Sequence, residues 1–97
     1  MPPPTPNQMN FDFSGQGALV TGGGRGIDRG IAEALAGWGA RVAVTDIDGD
    51  NAAATMAAIE AAGGAGFHRT LDVTDADAMA EVAAEYDDAF GGIDLLV

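Results

Sequence analysis

Apolar and polar positions fall into blocks that alternate between two periods. Ala18-Leu19-Val20-Thr21 is a short apolar run ending in glycines and reads as a buried strand. Ile27, Ile31, Ala34, Leu35 and Trp38 then recur at helical spacing, up to Gly37 and Gly39. Arg41 to Asp46 is a second strand, and Asp50 to Ala62 an Ala-rich helix with Met56 and Ile59 on one face, stopped by Gly63-Gly64. Phe67 to Val73 reads as a third strand. Thr74, with Asp77 three residues on, resembles a capping box. Met79, Val82, Tyr86 and Phe90 mark one face of a third helix, closed by Gly91-Gly92. Ile93 to Val97 opens a fourth strand. The order β-α-β-α-β-α-β predicts an α/β fold with a doubly wound parallel sheet. Strands covered on both faces explain unbroken apolar runs such as Leu95-Leu96-Val97.

Composition adds limits to this pattern. With 97 residues the chain holds at most one small domain. All four prolines lie in Met1 to Asn10, so residues 1–14 are expected to be a disordered Pro-rich tail, with the partial domain over 15–97. Fifteen acidic against four basic side chains give a net charge of −11, which argues against nucleic acid and anionic membranes as partners. Hydrophobic residues at 47% are too many for a disordered acidic segment. Neither a signal-peptide pattern nor a spanning apolar run is present, and the lack of cysteine fits the cytoplasm. The acids form no calcium-loop pattern, and His68 has no companion ligand, so no metal site is expected. The four basic residues are all arginine, so chemistry that needs a lysine cannot be completed within the chain.

The segment Thr21-Gly22-Gly23-Gly24-Arg25-Gly26-Ile27-Asp28 carries the most chemistry. It sits between a strand and a helix, where unpaired N–H groups and the helix dipole attract phosphate. Glycine lets the backbone turn and approach such a ligand closely. A strict G-x-G-x-x-G is absent, because the last position from Gly22 and Gly24 falls on Ile27. The spacing present is Gly22 and Gly26. Asp46 ends the second strand twenty positions beyond Gly26, where a carboxylate can bond both ribose hydroxyls of an adenosine. It would repel a 2′-phosphate, so NAD is preferred over NADP. Arg25 is a mild signal in the other direction and keeps NADP open.

Taken with their order, four blocks resemble the short-chain dehydrogenase/reductase family. They are Phe11-Asp12-Phe13-Ser14-Gly15 leading to Ala18-Leu19-Val20-Thr21-Gly22; Gly22-x-x-x-Gly26-Ile27; Leu71-Asp72-Val73-Thr74-Asp75; and Gly92-Ile93-Asp94-Leu95-Leu96-Val97. The resemblance covers nearly the whole chain from Phe11 on and implies a Rossmann-like sheet that lacks its C-terminal strands. It also implies that Asp72 contacts the adenine amino group and that Val73 lines the adenine pocket. The cofactor-binding candidates are therefore Gly22, Gly24, Arg25, Gly26, Ile27, Asp46, Ile47, Asp72 and Val73.

Two departures from the family stand out. Its last loop glycine is Asp28 here, and a carboxylate at that place competes with phosphate for the same N–H groups. The family's catalytic Ser and Tyr-x-x-x-Lys lie beyond the fourth strand; Tyr86, the one tyrosine, is followed four residues on by Phe90, and Ser14 precedes the first strand. The expectation is the NAD(P)-binding N-terminal portion of an oxidoreductase acting on a small alcohol or carbonyl, with no catalytic residue in this chain and a homo-oligomeric parent. Two alternatives remain. One is a non-catalytic nucleotide-binding remnant. The other is a fragment of an S-adenosylmethionine-dependent methyltransferase, since Gly22, Gly24 and Gly26 also fit G-x-G-x-G.

Overall fold

The apolar runs line up as one parallel sheet in the computed structural model, which describes residues 12–97. Its strands are β1 (Gly17–Thr21), β2 (Arg41–Asp46), β3 (Ala65–Thr70) and β4 (Leu95–Leu96), in the order β3-β2-β1-β4. The helices α1 (Gly26–Gly37), α2 (Gly49–Ala61) and α3 (Ala76–Phe90) connect them. β1 lies centrally, with Leu19 opposite Ala43 on one side and Leu96 on the other.

Side chains alternate across the strands and build two cores. Ala18, Val20, Val42 and Val44 meet Ala32, Leu35 and Ala36 of α1 and Ala52, Met56 and Ile59 of α2. Leu19 and Ala43 meet Leu71 and, from α3, Val82 and Tyr86 on the opposite face. Helices on both faces are the doubly wound arrangement that the strand–helix alternation predicts. Burying each large side chain such as Met56 contributes about 1.5–3 kcal/mol at most. Tyr86 is fully buried, with its ring tilted against Phe67 and Phe90. Its hydroxyl donates to the Arg41 carbonyl at 2.7 Å, and burial pushes the phenol above its ordinary 10.0.

Local details depart from the pattern reading in four places. The buried stripe of α1 is Ala32, Leu35 and Ala36, while Ile27 is 84% exposed. Small residues on that stripe let α1 approach the sheet, so the larger aliphatic at the helix start is left outside. β3 ends at Thr70, and Leu71 bonds the Asp46 carbonyl at 2.9 Å as the chain leaves the ladder, placing Asp72 and Val73 in a loop. The cap of α3 is Asp75, whose carboxylate accepts from the Ala78 N–H at 3.0 Å. Thr74 is already engaged, donating its N–H and hydroxyl to Asp72 at 2.9 and 2.7 Å. The β4 ladder is only Leu95 and Leu96, flanked by Asp94, which donates its N–H to the Gly17 carbonyl and accepts the Gly17 N–H on its carboxylate, and by Val97, which donates to the Leu19 carbonyl and accepts from Thr21.

Residues 1–11 of the expected tail, with Phe11 of the first motif block, lie outside the described residues. Residues 12–14 are docked rather than free. Ser14 donates its N–H to the Asp12 carboxylate at 2.9 Å, Phe13 donates its N–H to the Trp38 carbonyl at 2.8 Å, and the two rings sit 5.7 Å apart. No helix among the described residues is long and apolar enough to cross a membrane.

Candidate cofactor cleft

The chain leaves β1 toward β2 on one side and reaches β4 on the other, so the strand order reverses beside β1. In open α/β sheets a crevice forms outside the carboxyl ends of the strands at such a reversal. Thr21, the last residue of β1, is tied there by its N–H and its hydroxyl, both donating to the Val97 carbonyl at 2.9 Å.

The glycines that follow are needed for two different reasons. Gly22 and Gly26 take φ of +64° and +63°, a left-handed backbone that side chains disfavour. Gly23 and Gly24 lie where the turn packs down. A Cβ on Gly23 would come within 3.1 Å of Val20 and Val44, and one on Gly24 within 2.6 Å of the Asn51 Cβ and 2.8 Å of the Ala52 nitrogen. The turn then enters α1 through Arg25, which is extended and gives no side-chain cap. The first-turn N–H groups of α1 therefore receive no bond from the residue that usually caps them.

Asp46 closes the other wall. It is only 3% exposed at the end of β2. One carboxylate oxygen accepts from the Gly24 N–H at 3.1 Å and the other from the Asp48 N–H at 2.9 Å. Asp48 in turn caps α2, accepting from the N–H groups of Asp50 and Asn51. Asp46 thus pins the glycine turn to the start of α2 while keeping lone pairs for a further donor.

Between these walls lies a cleft of about 360 Å³ lined by Thr21, Gly22, Arg25, Asp28, Asp46, Ile47, Leu71, Asp72 and Val73. Six of the nine sequence candidates meet there: Gly22, Arg25, Asp46, Ile47, Asp72 and Val73. Gly24 is buried beneath the turn, Gly26 is exposed at the helix start, and Ile27 projects outward. Ile47 and Val73 are 65% and 57% exposed, leaving two apolar side chains free on the strand-end loops. Thr21 and Leu71 line the cleft without having been singled out; each directly precedes a candidate, and that adjacency was the available signal. The Thr74 N–H and hydroxyl, donating to Asp72, hold its carboxyl below the usual 3.8. Asp28 is present too, and a Cβ built on Gly22 would lie 3.4 Å from an Asp28 carboxylate oxygen.

Comparison with known proteins gives a consistent result. Over 85 residues the chain is 47% identical to sorbitol dehydrogenase of Cereibacter sphaeroides, covering 88% of this chain and 32% of that protein. Over 80 residues it is 46% identical to galactitol 2-dehydrogenase of Agrobacterium fabrum, covering 82% and 30%. The chain thus spans about a third of the length of these curated relatives. The crystal structure of a hydroxysteroid dehydrogenase from Escherichia coli superposes with a TM-score of 0.84 at 33% identity, over 88% of this chain and 36% of that one. A Haemophilus influenza structure with bound NAD shares the fold with a TM-score of 0.85 at 24% identity, over 90% and 31%. The family model described as short chain dehydrogenase matches residues 16–97. The chain belongs to the short-chain dehydrogenase family.

Proposed function

We propose that this chain is the dinucleotide-binding portion of an oxidoreductase that interconverts a small alcohol and its carbonyl compound, with NAD preferred over NADP. The observation that carries the reading is Asp46, buried at the end of β2 and lining the cleft with its carboxylate fixed by two backbone N–H groups. A carboxylate held in that way offers acceptors to ribose hydroxyls and meets a 2′-phosphate with like charge. Ile47 and Val73 supply apolar surface for a base, and Asp72 an acceptor for its amino group. Gly22 presents bare backbone beside the start of α1. These residues suit the adenosine end of the cofactor. The phosphate end suits it less, because Asp28 stands at the same turn.

When bound, the nicotinamide supplies the hydride-carrying group. The work of this chain is to bind and orient the adenosine half. The polyol substrates named for the curated relatives support a hydroxylated small molecule as substrate class. The absence of cysteine fits a cytoplasmic setting, and a homo-oligomeric enzyme is part of the same proposal. Isothermal titration of the full chain with NAD and with NADP tests the reading. NAD is expected to bind at least tenfold more tightly than NADP, and Asp46→Ala to shrink that ratio to near one. Equal or tighter binding of NADP by the unaltered chain overturns the preference.

A further inference from the structure

The cleft carries four charged side chains, of which Asp28, Asp46 and Asp72 are negative and Arg25 alone is positive. Their places differ. Asp46 and Asp72 stand at the strand-end loops beside Ile47 and Val73, where a nucleoside would sit. Asp28 stands in the first turn of α1, over Gly22. The backbone there has the features of an anion site: bare glycine, a helix start and no capping side chain. Asp28 places a carboxylate against that same surface, so the favourable charge at the helix start is already matched by the chain's own acid. An incoming phosphate meets like charge, and Arg25 restores only one positive charge against it.

Resting on the reading that the cleft takes adenosine, we propose that this chain recognises its ligand through the nucleoside alone. The turn at Gly22 and Asp28 gives a 5′-phosphate no advantage, so adenosine binds at least as tightly as adenosine 5′-diphosphate. Among adenosine ligands, the dinucleotide included, a 5′-phosphate at the turn therefore adds no affinity. In a dinucleotide the pyrophosphate contributes orientation without affinity.

Titration calorimetry of the full chain with adenosine and with ADP, on the unaltered protein and on Asp28→Asn and Asp28→Gly, decides the matter. The unaltered protein should bind ADP no more tightly than adenosine. Both substitutions should raise ADP affinity at least tenfold while changing adenosine affinity less than twofold. The Asn variant keeps the side chain's size and isolates the charge. Because Asp28 is partly exposed and caps nothing, circular dichroism of both variants should match the parent. If the unaltered protein prefers ADP tenfold, or if neither substitution changes the ratio, the proposal fails while the adenosine site stands. Should neither ligand bind any of the three proteins, the site reading itself fails, and the proposal with it.

Discussion

Asp46 has a structural duty that can be weighed separately from ligand binding. Replacing it with alanine removes two hydrogen bonds, one from the Gly24 N–H at 3.1 Å and one from the Asp48 N–H at 2.9 Å. Hydrogen bonds to a charged group contribute about 1.5–3 kcal/mol each, and a buried donor left unpaired costs a similar amount. The two bonds share one carboxylate and are not independent, so the expected loss is about 2–4 kcal/mol rather than their full sum. Against a typical stability of about 5–15 kcal/mol this is a large fraction. Asp46→Asn keeps the shape but turns an amide NH2 toward one of the two donors, so about half the loss is expected. Asp48→Ala is the control. It removes the α2 cap but leaves the Asp48 N–H bond to Asp46 intact, and should cost about 1 kcal/mol. Urea unfolding followed by circular dichroism measures all three without any ligand. If Asp46→Ala lies within 0.5 kcal/mol of the parent, the pinning role is wrong and the carboxylate acts on ligand alone.

Three further outcomes are expected. Gly24→Ala should destabilise by about 1–3 kcal/mol in the same unfolding assay, since its Cβ would meet the Asn51 Cβ at 2.6 Å and the Ala52 backbone at 2.8 Å; a neutral result would mean that the turn lifts freely from α2. Tyr86 has a folded pKa raised by burial, so its contribution is complete below the ordinary 10.0 and is lost as pH rises through the folded value. Absorbance at alkaline pH reads this single tyrosine directly, and Tyr86→Phe should cost about 0.5–1.5 kcal/mol at neutral pH while abolishing the alkaline loss; a parent midpoint at or below 10.0 refutes the burial argument. Asp72 is shifted down by Thr74, so its contribution is present above the ordinary 3.8 and disappears as pH falls through the lower folded value. Thr74→Ala should move the Asp72 carboxyl resonance titration up toward 3.8 in NMR, and an unmoved midpoint speaks against the Thr74 hydroxyl as a cause.

The layered fold was legible because its signals are periodic. Val42 and Val44 face one way and Ala43 the other, and the Val82–Tyr86–Phe90 spacing marks the helix face that packs below them. Boundaries were less legible because they depend on competition between neighbouring polar groups. Thr74 and Asp75 are both good caps, and only the bond from Thr74 back to Asp72 leaves the position to Asp75. On α1, Leu35 is buried and Ile31 and Trp38 pack against the core as the spacing predicts, but Ile27 at the helix start was misplaced for a related reason. Ile27 is more hydrophobic than Ala32, yet the need for a close helix–sheet approach puts the alanine inside. For the cleft, Asp46 was readable from its distance to the glycine turn, and Asp72 and Val73 from the family resemblance. The inward grip of Asp46 on Gly24 was not, since nothing in a linear spacing tells which donors a carboxylate will find.

The contact between Phe13 and Trp38 has a practical consequence. Trp38 follows α1 and precedes β2, so the only indole of the chain lies at the amino ends of the strands, across the sheet from the cleft. Its emission therefore reports whether the segment before β1 remains seated on the fold, and is expected to stay constant as a nucleoside enters at the far end. One intrinsic fluorophore thus follows unfolding without responding to ligand, and the two can be recorded in a single titration without a label.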